Sequence, residues 1–426
     1  MTAGSDPENG TARLSRRSLF TAAGAGGLGL AAGAVGAFTL GRDRTQAADD
    51  VVPFHGPHQA GITTDAQDRM HTAAFDLTAS SRASVISLLR DWTEAAEALT
   101  AGRDIGETGA SGGAYDAPPE DTGEAQDLHA AHLSITFGFG RTLFEKDGVD
   151  RYGVAAHLPE ALIELPLFSG DALEEGRSGG DLIVQACADD PQVAVHAVRN
   201  LARIAFGRAR VRWSQIGFGR TASTSRGQVT PRNLFGFKDG TANLKVQDEE
   251  LLADHLWVSG GPKAEAWLDG GTYMVVRRIR MHIETWDRTT LREQELVVGR
   301  TKREGAPLSG GEEFTAPDFA LPGRNGPLID PASHLALAHP DRNGGARMLR
   351  RGYNYADGSD GLGRLDAGQF FIAYFVDPRT HYVPMQSAMA KNDLMAEYLR
   401  HTGSGLFAVP PGIAPGGYIG QGLFEA

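Results

Sequence analysis

The sequence contains a single cysteine, Cys187, among 426 residues. A framework of disulfides within the chain is therefore excluded. Small proteins that fold outside the cytoplasm often depend on disulfides, so this chain is better suited to folding in a reducing compartment. We expect Cys187 to be a small buried apolar residue in a strand, because free cysteine usually packs in that way.

Clustered basic residues are also missing. The formal net charge is −12, and residues 1–48 carry five arginines against three acidic residues, so the remainder of the chain is more acidic still. Binding to nucleic acid requires clustered lysine and arginine side chains that neutralise phosphates. The composition therefore excludes nucleic acid as an expected partner.

The longest apolar run is short of strongly hydrophobic residues. It extends from Phe20 to Leu40, is interrupted by six glycines, follows Arg16-Arg17, and is followed by the small-residue stretch 45–48. A charged start, an apolar middle and a small-residue cleavage site are typical of a signal peptide. The paired arginines resemble the twin-arginine signal, whose route carries folded proteins. A membrane anchor is the alternative, because about twenty apolar residues can span a bilayer, but the glycines disfavour it.

Patterns beyond residue 48 predict two α+β halves that join near residues 218–230. A helix is predicted to begin at Pro191, with Asp190 as its N-cap, and another is predicted around 385–399. Stretches rich in Gly and Pro predict long loops at 104–126 and 303–327. Apolar runs and alternating patterns predict strands at 133–137, 182–187, 211–213, 278–284, 370–376 and 406–409.

Two segments contain residues that are suited to chemistry. Residues 235–243 place Asp239 between glycines, although Asp-Gly is also a common turn pair. His334 lies in an apolar stretch, where a histidine is more often a core residue than a ligand, and the chain has 13 histidines. Arg350 follows Met348-Leu349, and an arginine beside an apolar run requires a buried anion or a group of carbonyls.

Together these segments resemble the dye-decolourising peroxidase family. The twin-arginine signal is typical of one branch, which includes deferrochelatase/peroxidase proteins of bacterial iron-uptake systems. Six ordered motifs carry the resemblance over nearly all of the chain after the predicted signal: 54–62, 180–182, 236–240, 271–280, 348–353 and 403–407.

The resemblance implies an α+β fold with two ferredoxin-like domains in one chain, of the dimeric α+β barrel type, with antiparallel sheets and helices packed outside. It also implies one haem b per chain. We predict a signal peptide at residues 1–48, an N-terminal ferredoxin-like domain at 49–225 and a haem-binding C-terminal ferredoxin-like domain at 226–426.

The resemblance also assigns roles by position. His334 would be the proximal iron ligand, and Asp239 would be the distal acid/base. Arg350 would be the distal arginine and contact the haem; Arg347 and Arg351 are alternatives, but Arg350 stands directly before Arg-Gly-Tyr. The other residues expected against the haem are Gly240, Thr241, Ala242, His339, Pro340 and Asp341.

The resulting prediction is an exported haem peroxidase, periplasmic, extracellular or in the cell envelope, that uses hydrogen peroxide to oxidise bulky organic or metal reductants. Iron removal from haem by a deferrochelatase is the first alternative. A non-catalytic haem carrier is the second, although a carrier has no need of an acid/base group such as Asp239. Further partners under this prediction are iron-uptake components, the twin-arginine translocase and a second copy of the chain.

Overall fold

The computed structural model describes Met1, residues 50–324 and residues 326–425. The predicted signal peptide and the alternative of a membrane anchor fall on residues outside these ranges. Among the helices that the structure does describe, none combines the length and the apolar character needed to cross a membrane.

The first half of the fold is a βαββαβ unit. Its four strands are antiparallel and lie in the order β2-β3-β1-β4. Short 3-10 segments at Ala155–His157 and Glu175–Arg177 lie between β2 and β3. The elements are β1 (Arg69–Leu77), α1 (Arg82–Thr100), β2 (Ser134–Gly140), α2 (Arg141–Phe144), β3 (Leu182–Ala188), α3 (Pro191–Ile204) and β4 (Ala209–Arg220).

The second half repeats the same plan, with its main strands in the order β9-β10-β5-β11. Short 3-10 segments occur at Lys263–Leu268, Pro340–Arg342 and Leu394–Tyr398. The elements are α4 (Glu249–His255), β5 (Thr272–Met281), α5 (Ile283–Trp286), α6 (Leu291–Val298), β6 (Pro322–Gly323), β7 (Gly326–Pro327), α7 (His334–Ala338), β8 (Leu349–Arg350), β9 (Tyr353–Ser359), β10 (Leu365–Phe375), α8 (Pro378–His381), α9 (Val383–Asn392), β11 (Leu399–Val409) and α10 (Gln421–Phe424).

The two halves close into one barrel. β4 pairs with β9 and β2 pairs with β11, while β5 pairs with both β10 and β11, so eight strands of the described chain form a ring. One apolar cluster fills the ring interior and another lies between the sheet and helices α1 and α3. The βαββαβ plan with this strand order confirms the predicted pair of ferredoxin-like units. The boundary at 225/226 stays a prediction.

Local signals in the first half are confirmed. Helix α3 begins at Pro191, and the Asp190 side chain accepts hydrogen bonds from the backbone N–H groups of Gln192 and Val193. These contacts satisfy two of the donors that every helix start leaves unpaired. Cys187 is fully buried in β3, as predicted, and burial raises the pKa of its thiol.

Several boundaries in the second half differ from the predicted ones. The strand predicted at 278–284 ends at Met281, because the His282 carbonyl accepts from the Thr285 and Trp286 N–H groups and the chain turns into α5. The helix predicted around 385–399 ends at Asn392; a 3-10 segment follows, and Leu399 already belongs to β11. The predicted loop at 303–327 contains the small β6–β7 pair.

Candidate active site

A cavity of about 430 Å³ lies in the second half of the fold. Its walls come mainly from the segment 233–242, the end of β5, the segment 334–350, and the chain from α9 into β11. Ligand and cofactor sites commonly have volumes of about 300–1,000 Å³, so a cavity of this size can hold a sizeable organic group.

A tight hairpin presents the acidic residue of the first motif to this cavity. Arg232 and Lys238 pair across the hairpin, and the Gly236 N–H donates to the Asn233 carbonyl. Gly236 has φ +80°, a conformation that favours glycine. Phe235 stacks on Trp286 with ring centroids 4.3 Å apart. The aromatic anchor buries one side of the hairpin and leaves its polar residues at the cavity.

Asp239 lies at the end of this hairpin and bonds through both carboxylate oxygens. Oδ1 accepts from Arg350 Nη1 at 2.8 Å, and Oδ2 accepts from Asn233 Nδ2 at 3.2 Å. The next residue, Gly240, has φ +86°, and a Cβ there would lie 2.8 Å from the Ala222 Cα. Glycine is therefore required at 240 for both its conformation and its close packing.

Arg350 belongs to the short strand β8. The Asn243 side chain holds its backbone on both sides, accepting from Arg350 N at 2.7 Å and donating to Arg350 O at 2.9 Å. Strand alternation sends the neighbouring Arg351 into the barrel, where its buried guanidinium donates to the Asp65 carbonyl and to Gln67. Arg347 also lines the cavity, but the ion pair with Asp239 belongs to Arg350.

His334 is the first residue of α7, and its Nδ1 lies 2.7 Å from Asp393 Oδ2. The ring is 33% exposed, but it lines the cavity rather than the outer surface. Burial is the largest influence on the pKa of His334 and lowers it; the charge and hydrogen bond of Asp393 outweigh that effect, so the pKa is raised overall. A carboxylate can only accept, so Nδ1 carries the proton.

The carboxylate of Glu313 holds the loop on both sides of Asp239. Glu313 belongs to the long segment after α6, forms an ion pair with Lys238, and accepts from Thr241 Oγ1 at 3.2 Å. Burial, the largest influence on the pKa of Glu313, raises it, but hydrogen bonds from Lys238 and Thr230 outweigh that effect and lower it overall. Residues on both sides of Asp239 are thus tied to one acidic side chain.

The structure brings most of the predicted site residues together. One predicted residue is not on the cavity wall: the Asp341 side chain is 77% exposed and its carboxylate lies 3.5 Å from His339 Nδ1. The predicted residues that line the cavity are Asp239, Gly240, Thr241, Ala242, His334, His339, Pro340 and Arg350.

Four polar residues that contact the predicted site residues were not themselves predicted from the sequence. Asn243 ends the motif 235–243, but nothing in that motif marks it for a role. Asn233 lies just before the motif, with no spacing signal to mark it. Asp393 and Glu313 are distant in the chain, 59 residues from His334 and 75 from Lys238, so only the folded chain brings them to the site.

Comparisons with known proteins point to one family. Family models described as Dyp-type peroxidase, N-terminal, and Dyp-type peroxidase, C-terminal, match residues 59–219 and 230–414. A protein of Yersinia pseudotuberculosis named deferrochelatase is 36% identical over 99% of this chain and 97% of its own length.

Solved structures agree with the sequence matches. A DyP-type peroxidase from Streptomyces coelicolor is 41% identical with a TM-score of 0.79, and covers 88% of this chain and 97% of its own. Ferric DtpA from Streptomyces lividans is 40% identical with a TM-score of 0.80, and covers 89% of this chain and 99% of its own.

Proposed function

The chain belongs to the Dyp-type peroxidase family and is a haem-dependent peroxidase, and from this premise we propose that it uses hydrogen peroxide to oxidise bulky organic reductants outside the cytoplasm. In this proposal Asp239 is the distal acid/base, Arg350 stabilises developing charge, and His334 is the proximal iron ligand. The supporting observation is that these three side chains line one cavity, with Asp239 and Arg350 paired at 2.8 Å.

The lining of the cavity fits a haem. Five of the eight methionines of the chain lie in its wall, and their polarisable thioethers suit contact with an aromatic macrocycle. Those methionines are Met281, Met348, Met385, Met389 and Met395. Residues 240–242, His339 and Pro340 would lie against the group.

The arrangement of His334 and Asp393 in the cavity also fits a haem. An imidazole that is to hold the haem iron would have to offer it a nitrogen without a proton. The Nδ1 proton of His334 is held by Asp393, which leaves Nε2 as the nitrogen for iron. A hydrogen-bonded carboxylate behind a ligating histidine fixes its tautomer and makes it a stronger donor. Asp393 therefore supports His334 in the proposed role.

When bound, the haem supplies the iron chemistry that breaks the O–O bond and takes electrons from the reductant. The Asp239 carboxylate accepts the proton of one peroxide oxygen and delivers it to the other oxygen, which then leaves as water. Arg350 places a fixed positive charge beside the oxygen on which negative charge develops. Because Asn243 holds the Arg350 backbone, that charge is in place before peroxide arrives.

Absorption spectra of the haem-loaded protein, before and after one equivalent of peroxide, test this proposal. The ferric haem band should shift in the wild type, and His334→Ala should lose or perturb haem binding. Asp239→Ala should bind haem but react with peroxide about 10²–10⁴-fold more slowly. A wild-type protein that binds no haem would contradict the cofactor, and full peroxide turnover in Asp239→Ala would favour the haem carrier.

A second candidate function is iron release from haem. The relatives named deferrochelatase align over 98–99% of this chain, and this coverage favours iron release over simple haem storage. Incubation of the protein with haem and analysis of the products separates iron release from peroxidase activity. Free iron together with intact porphyrin indicates a deferrochelatase; intact haem with oxidised organic substrate indicates a peroxidase.

The proposed location rests on residues 1–48. Their order of paired arginines, weak apolar run and small residues supports twin-arginine export, as does the single cysteine, since a chain that folds before export needs no disulfides. Replacing Arg16 and Arg17 by lysine should keep the protein in the cytoplasm. Export of this double variant at the normal level would contradict the proposed route.

A further inference from the structure

Asn233 occupies the first corner of the hairpin that carries Asp239. Its carbonyl accepts from the Gly236 N–H at 2.9 Å, and its own N–H donates to the Phe237 carbonyl at 3.1 Å. Both backbone groups are thus held by the turn. The residue also lines the cavity, so its side chain has a fixed origin within reach of the site.

The orientation of the Asn233 amide is determined by its neighbours. The Phe235 N–H donates to Asn233 Oδ1 at 3.0 Å, so the side-chain oxygen faces the turn. The amide nitrogen must then face the other way, where Asp239 Oδ2 lies 3.2 Å away. A flipped amide would lose both contacts, because it would place two N–H groups together and two oxygens together.

We propose that Asn233 is a positioning residue for Asp239. The amide N–H of Asn233 holds the Asp239 carboxylate in the orientation that accepts a proton from peroxide. This inference rests on the proposed role of Asp239. Arg350 alone engages Oδ1 and leaves the carboxylate free to turn about that contact. The second donor, on Oδ2, fixes the plane of the carboxylate.

The charged side chains near Asp239 do not occupy Oδ2, so a neutral donor orients the carboxylate there. Arg350 approaches from β8, and His334 lies within electrostatic reach across the cavity. The ammonium group of the adjacent Lys238 is turned away to Glu313. A second cation on Oδ2 would strengthen the ion pair and make the carboxylate a weaker base, whereas an amide orients it without adding charge.

Two substitutions separate positioning from turn formation. Asn233→Asp keeps an oxygen for the Phe235 N–H, so the turn is retained, but places a second carboxylate beside Asp239 Oδ2. Asn233→Ala removes both contacts. If Asn233 only caps the turn, Asn233→Ala should lower the unfolding midpoint but react with peroxide at the wild-type rate. If it positions Asp239, both variants should react with peroxide about ten- to a hundredfold more slowly near neutral pH.

The pH dependence gives a readout that a structural role would not change. In Asn233→Asp the loss should shrink as the pH falls, because a protonated carboxyl at position 233 again offers Asp239 a donor. The loss in Asn233→Ala should not shrink in this way. A loss in Asn233→Asp that is the same at every pH, or absent, would overturn the inference.

Thermal unfolding of the haem-free protein gives a second, activity-independent readout. Asn233→Asp should lower the midpoint near neutral pH, and adding Asp239→Asn should restore most of it, because the two carboxylates no longer repel. Additive effects would overturn the inference. Asp239→Asn alone separates the two ideas: if it reacts with peroxide at the wild-type rate, the proposed function fails, whereas a slow Asp239→Asn with a fast Asn233→Asp refutes only the role of Asn233.

Discussion

Replacing Asp393 by asparagine should weaken haem binding, because the substitution creates a conflict at two hydrogen bonds. Asp393 Oδ2 accepts from His334 Nδ1 at 2.7 Å, while Oδ1 accepts from the Met395 N–H at 2.8 Å and caps the segment that follows. Asparagine has a single side-chain oxygen. If it keeps the cap, its NH₂ group faces His334 and forces Nδ1 to accept, which moves the proton to Nε2, the nitrogen proposed to bind iron.

The magnitude follows from the burial of this pair. The Asp393 side chain is 3% exposed, and a hydrogen bond to a charged group contributes about 1.5–3 kcal/mol. A loss of this size corresponds to a roughly ten- to hundredfold weaker affinity, which agrees with the effect of removing a carboxylate behind a metal-bound histidine. Titration of the haem-free protein with haem, followed by absorbance, measures the ratio of dissociation constants.

Asp190→Asn is the matched control. Asp190 also caps a segment with its side chain, at the start of α3, and lies in the first half of the fold, away from the cavity wall. This variant should keep the wild-type haem affinity, since asparagine is also a good N-cap. Equal haem affinity in Asp393→Asn and the wild type would refute the argument, as would an equal loss in both variants.

Three further predictions follow from the site and the barrel. Arg350→Leu should slow the reaction with peroxide about 10²–10³-fold, as measured by stopped-flow absorbance, and an unchanged rate would exclude Arg350 from charge stabilisation. Gly240→Ala should lower stability by about 1–3 kcal/mol in chemical unfolding, since φ is +86° and the added Cβ would lie 2.8 Å from the Ala222 Cα; wild-type stability would contradict this. Burial lowers the pKa of His71 from 6.5 to about 4, so the unfolded chain binds a proton that the folded chain does not, and stability should fall by about 3 kcal/mol as the pH drops from 6.5 to 4. His71→Gln should lose less stability over that range, and the same pH dependence in both proteins would rule out His71 as the cause.

Much of the fold could be predicted from the sequence where local chemistry decides it. Asp190 and Pro191 form a start signal that acts within three residues, and the structure places the helix there. The end of β5 was predicted wrongly, because the apolar alternation continues to residue 284 whereas the backbone already turns at His282, whose carbonyl accepts from the Trp286 N–H. An apolar alternation does not show where the backbone leaves the strand.

The candidate site likewise contains residues that could be predicted from the sequence and residues that could not. Asp239 and Arg350 stand in motifs that a family resemblance can locate by order along the chain, and His334 precedes the second of these motifs. Asp393 and Glu313 act through contacts made across long separations, and neither belongs to a motif. The resemblance placed Asp341 against the haem together with His339 and Pro340, but the 3-10 turn at Pro340–Arg342 directs its side chain outward. Sequence order gives neighbours along the chain, whereas the turn decides which of them face the cavity.

The lengths of the strand pairings that close the barrel determine which strands separate first under force or heat. The ladder between β5 and β11 runs over ten residue pairs, whereas each of the two seams between the halves, β2–β11 and β4–β9, joins two. Force or heat should therefore part the seams before the long ladders. The walls of the cavity come mainly from the second half, so His334 and Asp239 stay on the same side of such a break. The barrel can thus lose its closure before the cavity comes apart.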